Sequence, residues 1–192
     1  MKRIFFFDFD GTITKRDSFL LFTFHAVGFI ELFKYWSKTI FKIIFTSVRK
    51  GELKEQFFID NFKNMSEEEF QIICNNFENK FFDDLIKTSF LNYLNNLDKK
   101  DEVVIVTASI KNYIKPWCNG LKIELISTEL EIVNGKLTGY FSTPNCNHRE
   151  KVNRIMARYD LKKYDDIYVF GDTEGDNEMM SLTKNNFYKF FK

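Results

Sequence analysis

Two aspartates that lie two positions apart, Asp8 and Asp10, close the first apolar run of the chain, and Gly11 follows them. The run, residues 4–7, is typical of a buried strand, so both acids lie at its carboxyl end. In an open parallel α/β sheet that edge is where ligands bind. Two carboxylates this close require a cation between them or a retained proton. The pair therefore predicts a metal site or a general acid–base, although an ordinary strand that ends in an Asp-Gly turn has the same pattern.

Two later apolar runs also end in groups that can do chemistry. Residues 102–106 are followed by Thr107, and residues 167–170 lead through Gly171 to Asp172, with Asp176 four residues on. Because the carboxyl ends of parallel strands meet at one edge of a sheet, these distant residues are expected to converge on one site. The plainer alternatives are a β-branched strand end for Thr107 and a helix N-cap for Asp176.

The segment Asp8-Phe9-Asp10-Gly11-Thr12 resembles D-x-D-x-T, the first motif of the haloacid dehalogenase superfamily of phosphohydrolases. The superfamily's other motifs follow in order along essentially the whole chain: a Ser or Thr after a second strand, here Thr107, a helical Lys, here Lys151, and G-D-x-x-x-D at residues 171–176. The resemblance implies an α/β fold, a Rossmann-like three-layer parallel sheet with an inserted helical cap. The alternative for Lys151 is a solvated helix residue among neighbouring arginines.

The resemblance also implies a Mg²⁺-dependent phosphomonoester hydrolase. The metal is expected on the carboxylates of Asp8 and Asp172 and on the main-chain carbonyl of Asp10, because Mg²⁺ takes hard oxygen ligands. Asp8 would attack phosphorus and form an aspartyl-phosphate. Asp10, its pKa raised by the neighbouring acid, would protonate the leaving oxygen and then take a proton from water.

The remaining motif residues are expected to hold the phosphoryl group and the charges around it. Thr107 and the backbone amides of Gly11 and Ala108 would cradle phosphoryl oxygens. Lys151 would neutralise the charge shared by Asp8 and the phosphate. Asp176 would orient the water ligands of the metal or Lys151.

The elements that position these groups divide the chain into a core and a cap. Residues 1–13 and 83–192 are predicted to form the catalytic core, and residues 14–82 a helical cap inserted after the first strand. Within the cap, Gly51 is expected to break the helical pattern before a helix over 52–62. Ser66 and Glu69 form a capping-box pattern for a helix to about residue 80. A further helix over 83–97 is predicted at the start of the second part of the core. Asn134-Gly135 predicts a small β-hairpin.

The position of the insert resembles the phosphoserine-phosphatase-like branch, subfamily IB. That resemblance implies that Asp17 reads an amino group of the substrate. The branch also has a cap arginine that holds the substrate carboxylate, and alignment through residues 51–53 places Asp60 there instead. A small soluble metabolite such as phosphoserine therefore remains an alternative substrate.

Within the branch, three segments resemble the bacterial hydrolases that include phosphatidylglycerophosphatase C: Asn145-Cys146, the string at residues 171–180 and the string at residues 187–190. The resemblance implies a lipid phosphate substrate such as phosphatidylglycerophosphate. Lys34, Lys38 and Lys42 recur every four residues in an aromatic-rich segment. This stripe fits a helix lying on anionic lipid, and it equally fits a lid that packs its aromatics inward.

Composition limits the other classes. A net charge of +1 gives no case for nucleic acid, and three widely spaced cysteines argue against a disulfide framework and zinc. The apolar runs are too short for a signal-peptide core or a membrane span, so a cytoplasmic protein is expected, with peripheral contact at the inner face of the membrane if the lid binds lipid. No obligate protein partner is evident. A receiver-like domain and a non-catalytic membrane-binding module are the alternatives of another class.

Overall fold

A five-stranded parallel sheet forms the centre of the protein in the computed structural model, which describes residues 1–28 and 50–192. Its strands are β1 (Arg3–Phe7), β2 (Glu102–Ile110), β3 (Glu124–Thr128), β6 (Asp166–Gly171) and β7 (Asn186–Tyr188), in the order β3-β2-β1-β6-β7. Every neighbouring pair in the sheet is parallel. The predicted α/β class is confirmed, and β1 lies at the middle of the sheet.

Helices cover both faces of this sheet. The helices of the two described ranges are α1 (residues 18–28), α2 (Lys50–Phe62), α3 (Glu67–Leu85), α4 (Thr88–Asn95), α5 (Lys111–Leu121), α6 (Arg149–Arg158) and α7 (Asn177–Met180), of which α1 to α3 belong to the inserted segment. Because side chains alternate along a strand, Phe5 and Phe7 of β1 join one buried cluster while Ile4 and Phe6 join another. The result is the three-layer arrangement expected for a parallel sheet.

The hairpin predicted at Asn134-Gly135 is confirmed as β4 (Leu130–Val133) and β5 (Lys136–Phe141). Both turn residues have positive φ, 52° and 73°, as a two-residue hairpin turn requires. The hairpin docks on the connection between α2 and α3, where Glu67 N–H donates to Gly135 O at 2.9 Å. The capping box that begins α3 is also confirmed, with Ser66 Oγ accepting from Glu69 N.

Two predicted helix limits were wrong. Gly51 lies inside α2 rather than before it, at a point where a Cβ atom would come within 2.8 Å of Asn145 Nδ2. The close approach of Asn145 explains a glycine in a helix, where it normally costs stability. The predicted break near residue 81 does not occur, because α3 continues to Leu85. The predicted division between cap and core at residues 82 and 83 therefore falls within a helix, and it stays a prediction.

Seven aromatic residues from four helices form what we call the aromatic cluster: Phe22, Phe57, Phe58, Phe62, Phe70, Phe77 and Tyr113. Phe22 of α1 is its centre, with ring centroids 4.9 Å from Tyr113 and 5.3 Å from Phe77. All seven are fully or almost fully buried. The cluster joins the inserted helices α1 to α3 to helix α5, which follows β2.

The inserted segment leaves and re-enters the core at one place. Thr14 and Ile86 form an isolated antiparallel bridge. Lys15 N–H donates to Leu85 O and Lys87 N–H donates to Ile13 O, both at 2.9 Å. The two connections are thus paired side by side.

The lysine stripe of Lys34, Lys38 and Lys42 lies outside the described residues. Within the two described ranges, no helix has both the length and the apolar content needed to cross a bilayer.

Candidate active site

A cavity of about 310 Å³ opens at the carboxyl edge of the sheet, where β1, β2 and β6 end. The structure brings all of the predicted site residues to it: Asp8, Asp10, Gly11, Asp17, Thr107, Ala108, Lys151, Asp172 and Asp176. Arg16, Lys54, Asn147 and Thr173 complete the lining. Their convergence follows from the parallel sheet, which brings three strand ends to one edge.

Lys151 lies between two buried carboxylates. Its Nζ donates to Asp8 Oδ1 at 2.5 Å and to Asp176 Oδ1 at 2.7 Å. The exposed fraction of each of these side chains is 10% or less. Lys151 is in the first turn of α6, so the solvated-helix alternative for this residue is wrong.

Burial and charge oppose each other in this ion-pair group. Burial raises the pKa of Asp8 to about 7, against the attraction of the Lys151 ammonium. Burial alone would lower the pKa of Lys151, but the Asp8 and Asp176 carboxylates raise it above its ordinary value. Burial alone would raise the pKa of Asp176, but Lys151 and backbone N–H donors hold it below the ordinary value. Lys151 therefore stays charged, and Asp8 is the acid that is held at the greatest cost.

The donor set at the edge fits a hard divalent cation. Carboxylate oxygens of Asp8, Asp172 and Asp176 lie within 4.8 Å of one another. Both oxygens of Asp176 already accept hydrogen bonds, Oδ1 from Lys151 and Oδ2 from the backbone N–H groups of Asp172 and Thr173. Asp8 and Asp172 share the single hydroxyl proton of Thr12, so they are the two carboxylates better placed to bind a metal, since oxygen ligands suit Mg²⁺.

Gly11 lets the Asp172 carboxylate approach the first motif closely. A Cβ atom on Gly11 would lie 2.3 Å from Asp172 Oδ2, and Gly11 has φ of 80°, which favours glycine. Thr12 Oγ1 lies 3.0 Å from Asp172 Oδ1 and 3.2 Å from Asp8 Oδ2. Burial raises the pKa of Asp172, against the hydrogen bond from Thr12 and the attraction of the Lys87 and Lys151 charges.

Asp10 is held apart from this group. Its Oδ1 accepts from Ser18 N–H and its Oδ2 accepts from Ser109 Oγ, both at 2.6 Å. Its pKa is raised chiefly by burial and then by the charge of Asp17, while Lys54 and the two hydrogen bonds oppose the rise. The rise was predicted from the neighbouring acid Asp8, whereas burial and Asp17 are its main causes. Asp8 and Asp10 nevertheless have different partners, which is what different chemical roles require.

The end of β2 differs from the simple strand end that was expected. The pairing of β2 with β3 shifts register between Thr107 and Ile110, and β2 continues to Ile110. Thr107 Oγ1 accepts from Ser109 N–H at 3.0 Å, and Ala108 O accepts from Thr128 Oγ1 at 3.1 Å. These bonds fix the irregular turn that presents residues 107 and 108 to the cavity.

One predicted phosphate donor is already engaged. The N–H of Gly11 donates to Thr14 Oγ1 at 2.9 Å, so a phosphoryl oxygen would have to share this donor. The same Thr14 hydroxyl donates to Arg16 O at 2.7 Å. The Thr14 side chain therefore stabilises the loop after β1 by hydrogen bonds to the backbone of that loop.

Three charged residues of the inserted segment line the cavity: Arg16, Asp17 and Lys54. Asp17 is exposed and caps α1, with its Oδ1 accepting from Leu20 N–H at 3.0 Å. Asp60, which alignment placed at the substrate carboxylate, is exposed and binds Gln56 at 2.8 Å, and it does not line the cavity. Lys54, which precedes Asp60 on α2, lines the cavity instead.

Several residues that the structure places at the site were not predicted from the sequence. Ser109 follows Thr107 by two positions, and that alternation was a usable signal because both side chains leave the strand on one face. Ser18 and Tyr113 had no such signal, since their contacts depend on how α1 and α5 pack. Asn147, between Cys146 and the start of α6, reaches the cavity from a loop.

The chain is similar in sequence to known hydrolases of one family and to a curated bacterial protein. A family model described as haloacid dehalogenase-like hydrolase matches residues 5–181. Protein CicA of Caulobacter vibrioides is 29% identical over 192 residues, covering 97% of this chain and 85% of the relative.

Solved structures share the fold. A protein of unknown function from Bordetella pertussis Tohama I has a TM-score of 0.83 at 18% identity, covering 97% of this chain and 89% of that chain. A phospho-aspartyl intermediate analogue of phosphoserine phosphatase has a TM-score of 0.66 at 14% identity, covering 96% and 85%.

Proposed function

The chain belongs to the haloacid dehalogenase-like hydrolases, whose family model covers residues 5–181, and from that premise we propose that it is a Mg²⁺-dependent phosphomonoester hydrolase that works through an aspartyl-phosphate. One observation carries the proposal. The buried carboxylate of Asp8 accepts a hydrogen bond from Lys151 Nζ at 2.5 Å and lies beside Asp172, while Asp10 has separate hydrogen-bond partners. A nucleophile and a proton donor are thus held side by side in different environments.

The residues of the chain divide the reaction between them. One oxygen of Asp8 attacks phosphorus, the bond to the leaving oxygen breaks, and Asp10 gives that oxygen a proton. Asp10 then takes a proton from the water that hydrolyses the aspartyl-phosphate. Lys151, which donates to Asp8, compensates the charge that the phosphoryl group brings. Mg²⁺, held by Asp8, Asp172 and the carbonyl of Asp10, would shield the anionic phosphate from the nucleophile.

The backbone and hydroxyl groups at the cavity supply the phosphate contacts. Thr107 and the amides of Ala108 and Gly11 would receive the phosphoryl oxygens, with Gly11 giving up its bond to Thr14. Asp176 fixes Lys151 rather than binding metal, since its second oxygen is bound by two backbone N–H groups. The similarity in fold to the phospho-aspartyl analogue of phosphoserine phosphatase is consistent with these roles.

The metal requirement is tested by hydrolysis and by binding. EDTA should abolish release of phosphate from p-nitrophenyl phosphate and Mg²⁺ should restore it, whereas Ca²⁺ should restore little because its looser coordination ties up both oxygens of the nucleophile. Mg²⁺ should also raise the unfolding temperature of the wild type but not of Asp172→Asn. Full hydrolysis in EDTA, or an equal shift in both proteins, would contradict the assignment.

A lipid phosphate such as phosphatidylglycerophosphate is the substrate that we propose first. Leu20 and Phe24, one turn apart on α1, are 44% and 46% exposed, and the basic residues Lys15 and Arg16 are exposed just before them. Apolar side chains beside cations are suited to the surface of an anionic bilayer. The same segment continues in sequence to Lys34, Lys38 and Lys42, outside the described residues.

The lipid proposal is tested with vesicles. The wild type should sediment with phosphatidylglycerol vesicles at low salt and hydrolyse phosphatidylglycerophosphate in detergent. Replacing the three lysines by Glu should weaken vesicle binding steeply, since each lysine near an anionic surface contributes about 1 kcal/mol. Hydrolysis of p-nitrophenyl phosphate should be unchanged. Absence of sedimentation by the wild type, or joint loss of both activities, would contradict membrane contact.

A small soluble metabolite such as phosphoserine is the second candidate. Asp17 and Lys54 bring opposite charges to the same cavity, which suits an amino group and a carboxylate on one substrate. Preference for phosphoserine over the lipid in a parallel screen would favour this candidate. A chain that hydrolyses no phosphate monoester would instead fit a receiver-like or membrane-binding module.

A further inference from the structure

A chain of buried hydroxyl groups leads from the Asp10 carboxyl into the protein interior. Ser109 Oγ donates to Asp10 Oδ2 at 2.6 Å. Ser18 Oγ lies 3.4 Å from Ser109 Oγ and 3.1 Å from Tyr113 OH. The exposed fractions of Ser109, Ser18 and Tyr113 are 1%, 0% and 0%. Each hydroxyl must therefore find its hydrogen-bond partner within the protein.

When Asp10 is ionised, the hydroxyl protons of this chain can all be donated in one direction. Each hydroxyl has one proton to donate, and Ser109 uses its proton on Asp10. Ser18 can then donate to Ser109, and Tyr113 to Ser18, which leaves each donor with an acceptor. Burial raises the pKa of Tyr113 well above its ordinary value, so Tyr113 keeps its proton.

The other oxygen of Asp10 is held from a different element. Ser18 N–H, at the first residue of α1, donates to Asp10 Oδ1 at 2.6 Å. Ser109 lies in β2 and Tyr113 in α5. Two donors on two different oxygens fix the plane of the carboxyl group, and three elements of the fold contribute to holding it.

We infer that Ser109 and Ser18, supported by Tyr113, are positioning residues that hold the Asp10 carboxyl in the plane from which it protonates the leaving oxygen. The inference rests on the proposed function, in which Asp10 is the general acid. As the Asp8 oxygen bonds to phosphorus, the electron pair of the breaking bond passes to the leaving oxygen, which takes the proton of Asp10. An alkoxide requires that proton, whereas p-nitrophenolate is stable without it. Displacement of Asp10 should therefore impair alkyl phosphates selectively.

The test compares Ser109→Ala with the wild type, as the full chain with Mg²⁺, on propyl phosphate and on p-nitrophenyl phosphate. The quantity measured is kcat/KM, which reports transition-state stabilisation relative to free enzyme and substrate. For propyl phosphate we expect a loss of about 10- to 100-fold, the range for a hydrogen bond to a charged group, because Asp10 becomes a carboxylate as it gives up its proton. For p-nitrophenyl phosphate the loss should stay below about threefold.

Three further variants separate positioning from general damage. Ser109→Thr retains the hydroxyl and should restore most of the activity on propyl phosphate. Tyr113→Phe leaves the bond between Ser109 and Asp10 in place and should give a smaller loss with the same selectivity. Ser127→Ala, at a buried serine of β3 that pairs with Thr107, is the matched control and should change neither substrate selectively. Unfolding temperatures identify folded variants, and Tyr113→Phe carries the test if Ser109→Ala does not fold.

The outcomes distinguish this inference from the proposed function. Equal losses on both substrates, or no loss, would show that the hydroxyl chain is only structural. A wild type that hydrolyses p-nitrophenyl phosphate but not propyl phosphate would lack an effective acid and would overturn the inference as well. A wild type that hydrolyses no phosphate monoester would contradict the proposed function itself.

Discussion

The active-site edge and the aromatic cluster are both buried, and they are built on opposite principles. At the edge, Lys151 meets Asp8 and Asp176 at fixed distances of 2.5 and 2.7 Å. In the aromatic cluster, Phe22 contacts rings from α2, α3 and α5 at centroid distances from 4.9 to 6.4 Å and at varied angles. The edge depends on single atoms, whereas the cluster depends on volume. Small changes of side chain should therefore be poorly tolerated among the buried charged residues of the edge and better tolerated in the aromatic cluster.

The largest expected effect separates activity from stability at the edge. Asp8→Asn should lower phosphate release by at least about 10³-fold, because the proposed nucleophile is lost. In EDTA its unfolding temperature should equal or exceed that of the wild type, since the change removes a buried charge. Turnover near the wild-type rate with Mg²⁺ present would contradict the covalent mechanism.

The same variant gives a pH test with a definite sign. Burial raises the pKa of Asp8 from 3.8 to about 7, so the folded protein binds this proton more tightly than the unfolded chain does. Ionisation of Asp8 should therefore cost metal-free stability as pH rises from about 4 through 7. The difference in unfolding temperature between Asp8→Asn and the wild type, in EDTA, should move in favour of the variant over that range. A constant difference would show that Asp8 is not held at this cost.

The second prediction couples activity and stability at the same edge. Lys151→Met leaves the Asp8 and Asp176 carboxylates buried without their cation, so we expect a loss of about 3–5 kcal/mol in the free energy of unfolding. Activity should be lost together with stability. Urea denaturation measures the first and p-nitrophenyl phosphate hydrolysis the second. Lys151→Arg, which keeps the charge, serves as control, and a loss below about 1 kcal/mol in Lys151→Met would show that the group is not a coupled unit.

The smallest effect is expected in the aromatic cluster. Phe22→Leu should cost no more than about 1.5 kcal/mol, because neighbouring rings can repack around a similar volume. Hydrolysis of p-nitrophenyl phosphate should be unchanged. Phe22→Ala is the matched variant and should cost about 3–5 kcal/mol through the cavity that it leaves. Equal costs for Leu and Ala, measured by urea denaturation, would mean that the cluster depends on ring geometry rather than on volume.

What could be predicted from the sequence follows the same division. Asp8, Asp10, Asp172 and Asp176 were predictable as site residues because each follows or lies near a strand end, and parallel strands bring such ends together. Lys151 was identified only by resemblance, since a lysine on a helix has no spacing that distinguishes it from its basic neighbours.

The remainder depended on tertiary contacts that no local pattern carries. Ser18 and Tyr113 lie 95 positions apart and meet only because α1 packs on α5. Gly51 was interpreted as a break because glycine disfavours helices, but the proximity of Asn145 outweighs that preference. Similarly, α3 continues through residue 81 because its buried residues Phe77, Phe82 and Leu85 maintain one apolar face.

The bridge between Thr14 and Ile86 pairs the two ends of the inserted segment where they join the core. Its two attachment points are adjacent in space although 72 positions apart in sequence, so the number of residues between them can change without altering the register of β1 with β2 or β6. Closing such a loop costs little more when it is longer, about 0.6 kcal/mol for each doubling of its length. A related chain could therefore carry an inserted segment of different size and act on a different substrate, provided that the new segment supplies a donor in the place of Ser18, which holds Asp10.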